Sequence, residues 1–254
     1  MNFIVITPVA PLRREASHRS EMVSQLLFGE MVDGLEKQGE FMKIKSAYDG
    51  YEGWCQIRQM TPIEGNEYPF ITKYSRNTED IVKVNGVSCQ LSPGSTCMVP
   101  DAQQEIMIGK YGLSFSVHYE NDISFRDKGA EVLHYARMFL GTSYLWGGRS
   151  RYGIDCSGLT QVAFMLSGLF LPRDSGPQSQ EGEIVNLLQE ARPGDLAFFD
   201  NEEGRIVHVG ILLNPEFILH ASANCRIDRI DHQGIVHFET GERTHHLRII
   251  RRYF

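Results

Sequence analysis

The pattern of apolar residues changes near residue 126, and this change limits the fold more than any other feature of the sequence. Before it, short apolar runs of β type are separated by Gly, Pro, Asn and Asp, a spacing typical of small all-β barrels. After it, two segments of helical periodicity precede a series of strands, the order expected for an α+β domain. We therefore predict an α+β protein with three domains, a β barrel at 1–61, a second β domain at 62–125 and an α+β domain at 126–254.

The helices and strands of this pattern are bounded by start and stop signals. Ser124 and Asp127 predict the cap of a first helix, which Gly141 ends. Asp155 and Cys156 open a second apolar helix, which ends at Gly168. The runs that predict strands are 31–35, 41–44, 81–84 and 113–117 in the first half, and 196–199, 207–213, 217–222 and 247–253 in the second.

The composition argues against several classes of function. A net charge of −7 with no run of Lys or Arg disfavours sequence-independent binding to nucleic acid or anionic membranes. No stretch approaches the ~18 consecutive apolar residues of a membrane span. The first residues lack the pattern of a secretory signal, so we expect a cytoplasmic protein, or a periplasmic or extracellular one if an upstream segment was removed. Five cysteines without a CxxC pair disfavour a disulfide scaffold and a zinc finger.

Cys156 lies where the second predicted helix begins. The N-terminus of a helix carries partial positive charge, which lowers the pKa of a thiol placed there. The free backbone N–H of Cys156 at the same end is suited to stabilise an oxyanion. A thiolate needs a nearby base to act as an activated nucleophile, and two histidines on the following strands are candidates for it.

His208 and His220 lie on two predicted strands joined around Asn214. If the hairpin is centred on Asn214 the two histidines are directly opposite, and if it is centred on Pro215 they are diagonal neighbours. In both registers they share one face of the sheet. We assign His208 as the base that takes the Cys156 proton and His220 as the residue that orients it.

Other interpretations of these three residues remain open from the pattern alone. A lone cysteine at a helix start is more often a packing residue, and a lone histidine on a strand is more often a core or surface residue. A zinc site with Cys-His-His ligands also fits the residue types. Spacing by itself does not decide between these alternatives and a nucleophile.

Five motifs follow one another in the second half of the chain. They are Tyr144-Leu-Trp-Gly-Gly148, Asp155-Cys-Ser-Gly-Leu159, Arg192-Pro-Gly-Asp-Leu196, His208-Val-Gly-Ile211 and Leu219-His-Ala-Ser222. In this order, across 127–254, they resemble the NlpC/P60 family of cell-wall peptide hydrolases. The resemblance implies a papain-like α+β domain with Cys156 as nucleophile, His208 as base and His220 as the third member.

Three further motifs resemble a bacterial SH3-type barrel. They are Leu12-Arg-Arg-Glu-Ala-Ser17, Gln25-Leu-Leu-Phe-Gly-Glu30 and Asp49-Gly-Tyr-Glu-Gly-Trp54. The whole arrangement is similar to γ-D-glutamyl-L-diamino acid endopeptidases of the YkfC type, which have two such barrels before the peptidase. The second β domain at 62–125 carries no comparable motif.

This resemblance implies a substrate and the residues that bind it. The substrate is a murein tri- or tetrapeptide with a free N-terminal L-Ala, cleaved between γ-D-Glu and L-Lys or diaminopimelate, without a metal or organic cofactor. An ammonium terminus needs an anionic pocket, since burying it unpaired is costly. The residues implied at the ammonium are Asp155, Tyr51 and Glu15, with Glu30 as the alternative to Glu15. Asp174 is implied at the incoming amine and Ser175 at the α-carboxylate of D-Glu. Ser157 is a further residue implied in substrate binding.

Two other functions remain open at this point. The same Cys-His chemistry serves a peptidoglycan amidase or an acyltransferase, and an SH3-type protein with a decayed catalytic domain binds wall peptides without cleaving them. We expect peptide recycling in the cytoplasm. The sequence does not give the oligomeric state or the preferred diamino acid.

Overall fold

The structure is a computed structural model that describes residues 1–63, 71–99, 105–117 and 125–254. The chain divides into two compact units. The first contains Met1–Asn121 and Trp146–Arg151, and the second contains Asp122–Leu145 and Tyr152–Phe254. Each is described by itself below.

The described part of the first unit consists mainly of β strands, and all but the last of these strands lie in three sheets. The strands are β1 Asn2–Val5, β2 Val9–Arg13, β3 Met22–Leu27, β4 Met31–Gln38, β5 Phe41–Ser46, β6 Glu52–Gln56, β7 Met60–Ile63, β8 Ile71–Tyr74, β9 Ile81–Val84, β10 Val87–Gln90, β11 Thr96–Val99, β12 Ile106–Ile108, β13 Tyr111–Ser116 and β14 Arg149–Ser150. The four strands predicted in this half are confirmed as β4, β5, β9 and β13.

The sheets of this unit are antiparallel and share apolar cores. One sheet has the strand order β3-β2-β6-β5-β4-β1-β7, a second has β10-β9-β13-β12, and β11 pairs with β8. Alternate residues such as Ala10, Leu12 and Ile44 fill the core of the first sheet. Ile4 of that sheet and Phe28, which follows β3, belong instead to a core with Val82 and other residues of the second β segment. This shared core explains why the two β segments form one compact unit.

Trp146–Arg151 belongs to the first unit although it lies far along the chain. Gly147 adopts a φ of +78°, and a Cβ there would lie 2.5 Å from the backbone oxygen of Met22. Only glycine fits both this conformation and this approach. The indole N–H of Trp146 donates to Glu21 over 2.8 Å.

The second unit combines helices with one antiparallel sheet. The helices are α1 Lys128–Arg137, α2 Cys156–Leu166 and α3 Ser175–Gln178, and the strands are β15 Gly153–Ile154, β16 Glu183–Val185, β17 Leu196–Asp200, β18 Ile206–Asn214, β19 Phe217–Ser222, β20 Asn224–Asp231, β21 Gly234–Val236 and β22 Arg243–Arg252. The sheet has the order β16-β22-β17-β18-β19-β20-β21, and pairing of β21 with β22 closes six strands into a ring. The α+β class is confirmed.

Both predicted helices are present, and their caps follow from the sequence. Asp127 is the N-cap of α1 and accepts a hydrogen bond from the Ala130 N–H over 2.8 Å. The other predicted cap residue, Ser124, lies outside the described residues. Every residue of α2 is buried, including the polar Ser157, Thr160 and Gln161. The strands predicted at 196–199, 207–213, 217–222 and 247–253 are confirmed as β17, β18, β19 and β22. The division at 61 and 125 into three domains stays a prediction.

Candidate active site

The N-terminus of α2 places Cys156 against the β sheet of the second unit. Asp155 is the N-cap of this helix, and its carboxylate accepts the Gly158 N–H over 2.6 Å. Cys156 is buried, with 7% of its surface exposed. The backbone N–H groups of Val209, next to His208, and of Ser157 lie near its sulfur and favour its ionised form. The thiol therefore lies at the strand that carries His208.

His208 and His220 lie side by side on β18 and β19. Gly210 pairs with His220, so the hairpin is centred on Pro215 and the two histidines are diagonal neighbours. This is the second of the two registers considered from the sequence. Nε2 of His208 lies 2.9 Å from Nδ1 of His220, and both rings are buried. The hydrogen bond occupies Nε2 of His208 and leaves its Nδ1 for a proton from another group.

Gly210 makes room for this pair of histidines. A Cβ built on Gly210 would lie 2.9 Å from the Cβ of His220 and 2.7 Å from Cδ1 of Ile218. Such distances are shorter than real Cβ contacts, so a side chain at this position would displace His220. The glycine of the His208-Val-Gly210 motif thus has a steric role in the site.

Two residues that were not assigned from the sequence complete the histidine cluster. Nε2 of His220 lies 3.0 Å from Oδ2 of Asp228, which is fully buried on β20. The ring of His245 on β22 stacks on that of His208, with centroids 4.1 Å apart and 24° between the planes. No sequence motif signalled either residue, because their positions depend on how β20 and β22 pair in the sheet.

Burial controls the protonation of the thiol and of the imidazoles. It raises the pKa of the Cys156 thiol to about 12, and the nearby Asp155 carboxylate adds to this effect. It also lowers the pKa of His208 well below its usual value, with the neighbouring His220 and His245 acting in the same direction. The expected lowering of the thiol pKa by the helix terminus is therefore wrong for this resting state, since desolvation outweighs it. The resting pair is a neutral thiol beside a neutral imidazole.

Asp155 and Ser157 take part in a buried network with Arg173. The guanidinium binds both carboxylate oxygens of Asp155, over 3.1 Å to Oδ1 and 2.6 Å to Oδ2, and donates to Oγ of Ser157 over 2.9 Å. Arg173 and Asp155 are both buried. The charge of Asp155 is thus matched by a cation of the protein itself, and its predicted contact with a substrate ammonium stays a prediction.

Comparisons with known proteins agree with this geometry. The model of the NlpC/P60 family matches residues 141–246, and that of the bacterial dipeptidyl-peptidase Sh3 domain matches residues 12–59. A γ-D-glutamyl-L-lysine dipeptidyl-peptidase of Bacillus subtilis is 30% identical over 221 residues, which are 78% of this chain and 71% of that protein. The chain belongs to the NlpC/P60 family. It is accordingly a cysteine peptidase with an SH3-type domain, as the motifs indicated.

Two further proteins are similar to this chain over most of its length. Dipeptidyl-peptidase 6 of Lysinibacillus sphaericus is 27% identical over 250 residues, which are 87% of this chain and 88% of that protein. A solved NlpC/P60 family protein from Bacillus cereus superposes with a TM-score of 0.74 at 20% identity, covering 100% of this chain and 99% of the other. The second likeness shows the fold alone.

The other substrate residues predicted for this NlpC/P60 peptidase lie in both units. Asp174 is the N-cap residue of α3 and is exposed, while Ser175 is half-buried at the first position of that helix. In the first unit, Glu15 is exposed, and Tyr51 packs against the core of the first sheet. No contact of these four side chains with a substrate is tested, so their roles stay predictions.

Glu30, the alternative to Glu15, is engaged within the first unit. It is buried, and its carboxylate lies 3.1 Å and 3.2 Å from Nη1 of Arg149 while accepting the Leu27 N–H over 3.0 Å. Burial raises its pKa, although Arg149 opposes that change. This carboxylate has a structural role, which favours Glu15 as the residue to test.

The zinc interpretation does not fit the histidine geometry. Nε2 of His208 and Nδ1 of His220 share a hydrogen bond, so they do not both offer a lone pair to one ion. Within the described residues, no group of three or more His, Cys, Asp and Glu side chains is arranged to hold a metal.

Among the helices of the described residues, none has both the length and the apolar composition that a membrane span requires.

Proposed function

We propose that this peptidase hydrolyses the bond between γ-D-Glu and the diamino acid in murein stem peptides with a free N-terminal L-Ala. The observation that carries the proposal is the hydrogen-bonded pair of His208 and His220 beside the Cys156 thiol, in a chain whose relatives are named γ-D-glutamyl-L-lysine dipeptidyl-peptidases. A dipeptidyl-peptidase removes two residues from an N-terminus, and L-Ala-D-Glu is such a dipeptide.

Formation of the acyl-enzyme needs a base at the thiol. Cys156 Sγ attacks the γ-carbonyl carbon of D-Glu, while its proton passes to Nδ1 of His208. The carbonyl oxygen becomes an oxyanion, to which the backbone N–H of Cys156 at the start of α2 donates. His208 is then an imidazolium and gives its proton to the amine of the diamino acid as the C–N bond breaks.

Hydrolysis of the thioester repeats these steps with water. His208, neutral again, takes a proton from the water that attacks the thioester carbonyl carbon. The C–S bond breaks, the thiolate of Cys156 recovers a proton from His208, and L-Ala-D-Glu leaves with a free γ-carboxylate. Every proton in this cycle passes through His208, so the residues that fix the position of its ring affect the rates of both acylation and deacylation.

Tyr144 is a further polar residue close to the nucleophile. Burial raises the pKa of its hydroxyl to about 12, and the nearby Asp155 carboxylate acts in the same direction. The hydroxyl therefore keeps its proton under the conditions in which the peptidase acts. It is available as a hydrogen-bond donor to a peptide bound at Cys156.

Mass spectrometry of peptide cleavage tests this function. The substrates are L-Ala-γ-D-Glu-diaminopimelate, the corresponding L-Lys peptide, and the N-acetylated form of each, with Cys156→Ala as the control protein. Release of L-Ala-D-Glu from the free-amine peptides alone supports the proposal. Equal cleavage of the acetylated peptides refutes the need for a free amine, and cleavage of none of the four peptides refutes the proposed activity.

Two finer parts of the proposal have their own tests. Glu15→Gln and Tyr51→Phe are expected to raise KM for the free-amine peptide if these residues contribute to ammonium binding. A role in recycling places the protein in the cytoplasm, and fractionation of the source cells tests that location. Recovery of the protein outside the cytoplasm contradicts the recycling role and leaves the chemistry unchanged.

A further inference from the structure

A line of three hydrogen-bonding groups extends from the base into the sheet of the second unit. Nε2 of His208 meets Nδ1 of His220 at 2.9 Å, and Nε2 of His220 meets Oδ2 of Asp228 at 3.0 Å. His220 and Asp228 have no exposed surface. In the β19–β20 register His220 pairs with Arg226, so Asp228 is the diagonal neighbour of His220 on the same face.

The protein holds Asp228 as an ionised carboxylate. Its Oδ1 accepts the Phe238 N–H over 2.9 Å, and its Oδ2 accepts the Nε–H of Arg226 over 2.9 Å in addition to His220. Burial alone would raise the pKa of Asp228, but these hydrogen bonds and the His220 charge lower it overall. An ionised carboxylate only accepts hydrogen bonds, so the proton between Asp228 and His220 belongs to Nε2 of His220.

That proton fixes the position of the next one. Burial lowers the pKa of His220, against the opposing effect of Asp228, so the ring is neutral and carries one proton. With this proton on Nε2, Nδ1 of His220 is an acceptor, and the proton of the 2.9 Å contact belongs to Nε2 of His208. Neutral His208 then has its lone pair on Nδ1, the nitrogen that takes the thiol proton.

We propose that Asp228 is a positioning residue which, through His220, holds His208 in the Nε2–H tautomer that acts as the base for Cys156. This inference rests on the proposed function in taking His208 as that base. Asp228 thus becomes a fourth member of the Cys156-His208-His220 site. In each hydrogen bond from His208 to Asp228, the donor is the group nearer to Cys156.

An asparagine at position 228 conflicts with this arrangement. The Phe238 N–H needs an oxygen at the Oδ1 position, which turns the amide NH2 group toward Arg226 and His220. The amide then donates to Nε2 of His220, the proton of His220 moves to Nδ1, and the proton of His208 moves to its own Nδ1. In that tautomer Nδ1 of His208, the nitrogen that faces the thiol, has no lone pair to accept its proton.

The first experiment measures the tautomers of the unchanged protein. Nitrogen-15 shifts and long-range couplings of the labelled imidazoles, assigned with His208→Gln and His220→Gln, report which nitrogen carries the proton. We expect the Nε2–H form for both histidines near neutral pH. The Nδ1–H form of His208 in the unchanged protein overturns the proposal, and this measurement needs no variant at position 228 to fold.

The second experiment compares Asp228→Asn with Asp231→Asn. Asp231 lies on the same strand but pairs with Arg243 at a partly exposed position, so its loss is a matched control. For Asp228→Asn we expect the Nδ1–H tautomer of both histidines and alkylation of Cys156 by iodoacetamide slowed roughly 10²-fold. We also expect kcat/KM to fall on the order of 10⁴-fold, as when the orienting aspartate of a Ser-His-Asp triad is neutralised. If Asp228→Asn keeps the Nε2–H tautomers, and its alkylation rate and kcat/KM stay within about twofold of those of Asp231→Asn, the positioning role of Asp228 is refuted.

The readouts separate this proposal from the proposed function. Tautomers and alkylation rates are measured without a peptide. If they change as expected while the unchanged protein cleaves no murein peptide, the substrate assignment fails and the role of Asp228 stands. If the peptide is cleaved and Asp228→Asn keeps the Nε2–H tautomers, the role of Asp228 fails and the substrate assignment stands.

Discussion

The ring of His245 stacks on the ring of His208 at a centroid distance of 4.1 Å, with 24° between the two planes. The hydrogen bond to His220 fixes one edge of the His208 ring, and the stack restricts its rotation. A stacked aromatic pair contributes about 0.5–1.5 kcal/mol, which corresponds to at most about tenfold in rate. We expect His245→Ala to lower kcat by about that factor, and His245→Phe, which keeps a flat ring, to stay near the original value. Steady-state kinetics with the murein tripeptide measures both, and equal kcat values for the two variants contradict a packing role.

The neutral thiol of the resting site leads to a second prediction. Because burial raises the pKa of Cys156 to about 12, little thiolate exists before substrate binds. The ultraviolet absorbance of the thiolate, taken as the difference between the protein and Cys156→Ala, is expected to be near zero at about pH 7 and to rise only in strongly alkaline solution. Full thiolate absorbance at neutral pH would show a preformed thiolate–imidazolium pair instead.

Acid is expected to destabilise the second unit through its buried histidines. Burial lowers the pKa of His208 and His220, and lowers that of His245 to about 4. The unfolded chain, with histidine pKa values near 6.5, binds more protons than the folded chain in this range, so the free energy of unfolding falls as the pH drops from about 6.5 to about 4. Urea titrations at several pH values measure this loss. His245→Phe is expected to reduce the dependence of the unfolding free energy on pH, and the same dependence in this variant and the unchanged protein contradicts the assignment.

The ion pair of Asp155 and Arg173 is expected to be strongly coupled. Both side chains are buried, so removing one takes away the opposite charge that the other binds. Arg173→Met is expected to cost about 3–5 kcal/mol of unfolding free energy. Asp155→Asn, which keeps an oxygen for the cap of α2, is expected to cost a similar amount, and the double variant less than the sum of the two. Urea unfolding of the four proteins gives the coupling energy, and strictly additive losses are the result that contradicts the pairing.

The sequence predicted those parts of the site that depend on short-range order. The start of α2 at Cys156 follows from the Asp155 cap, and the shared face of His208 and His220 follows in both registers considered, centred on Asn214 or on Pro215. The register itself did not follow, since spacing left Asn214 and Pro215 equally suitable as the centre. The structure selects Pro215, with a bulge between Leu212 and Asn214.

Asp228, His245 and the partner of Asp155 could not be predicted, because each depends on contacts distant in sequence. Asp228 reaches His220 only through the β19–β20 pairing, and His245 reaches His208 through β17, which pairs with both β18 and β22. The pKa of Cys156 was predicted in the wrong direction for the same reason. A helix terminus is visible in the sequence, whereas the burial that opposes it is a property of the folded unit.

Acid-quenched intact-mass spectrometry detects the thioester that we propose between Cys156 and the γ-carbonyl of D-Glu. The protein is mixed with L-Ala-γ-D-Glu-diaminopimelate, quenched within the first turnover, and digested to locate the adduct. We predict an increase equal to the mass of L-Ala-D-Glu less one water, carried by Cys156, and no increase in Cys156→Ala. An adduct on another residue, or cleavage by Cys156→Ala at the original rate, would contradict the account.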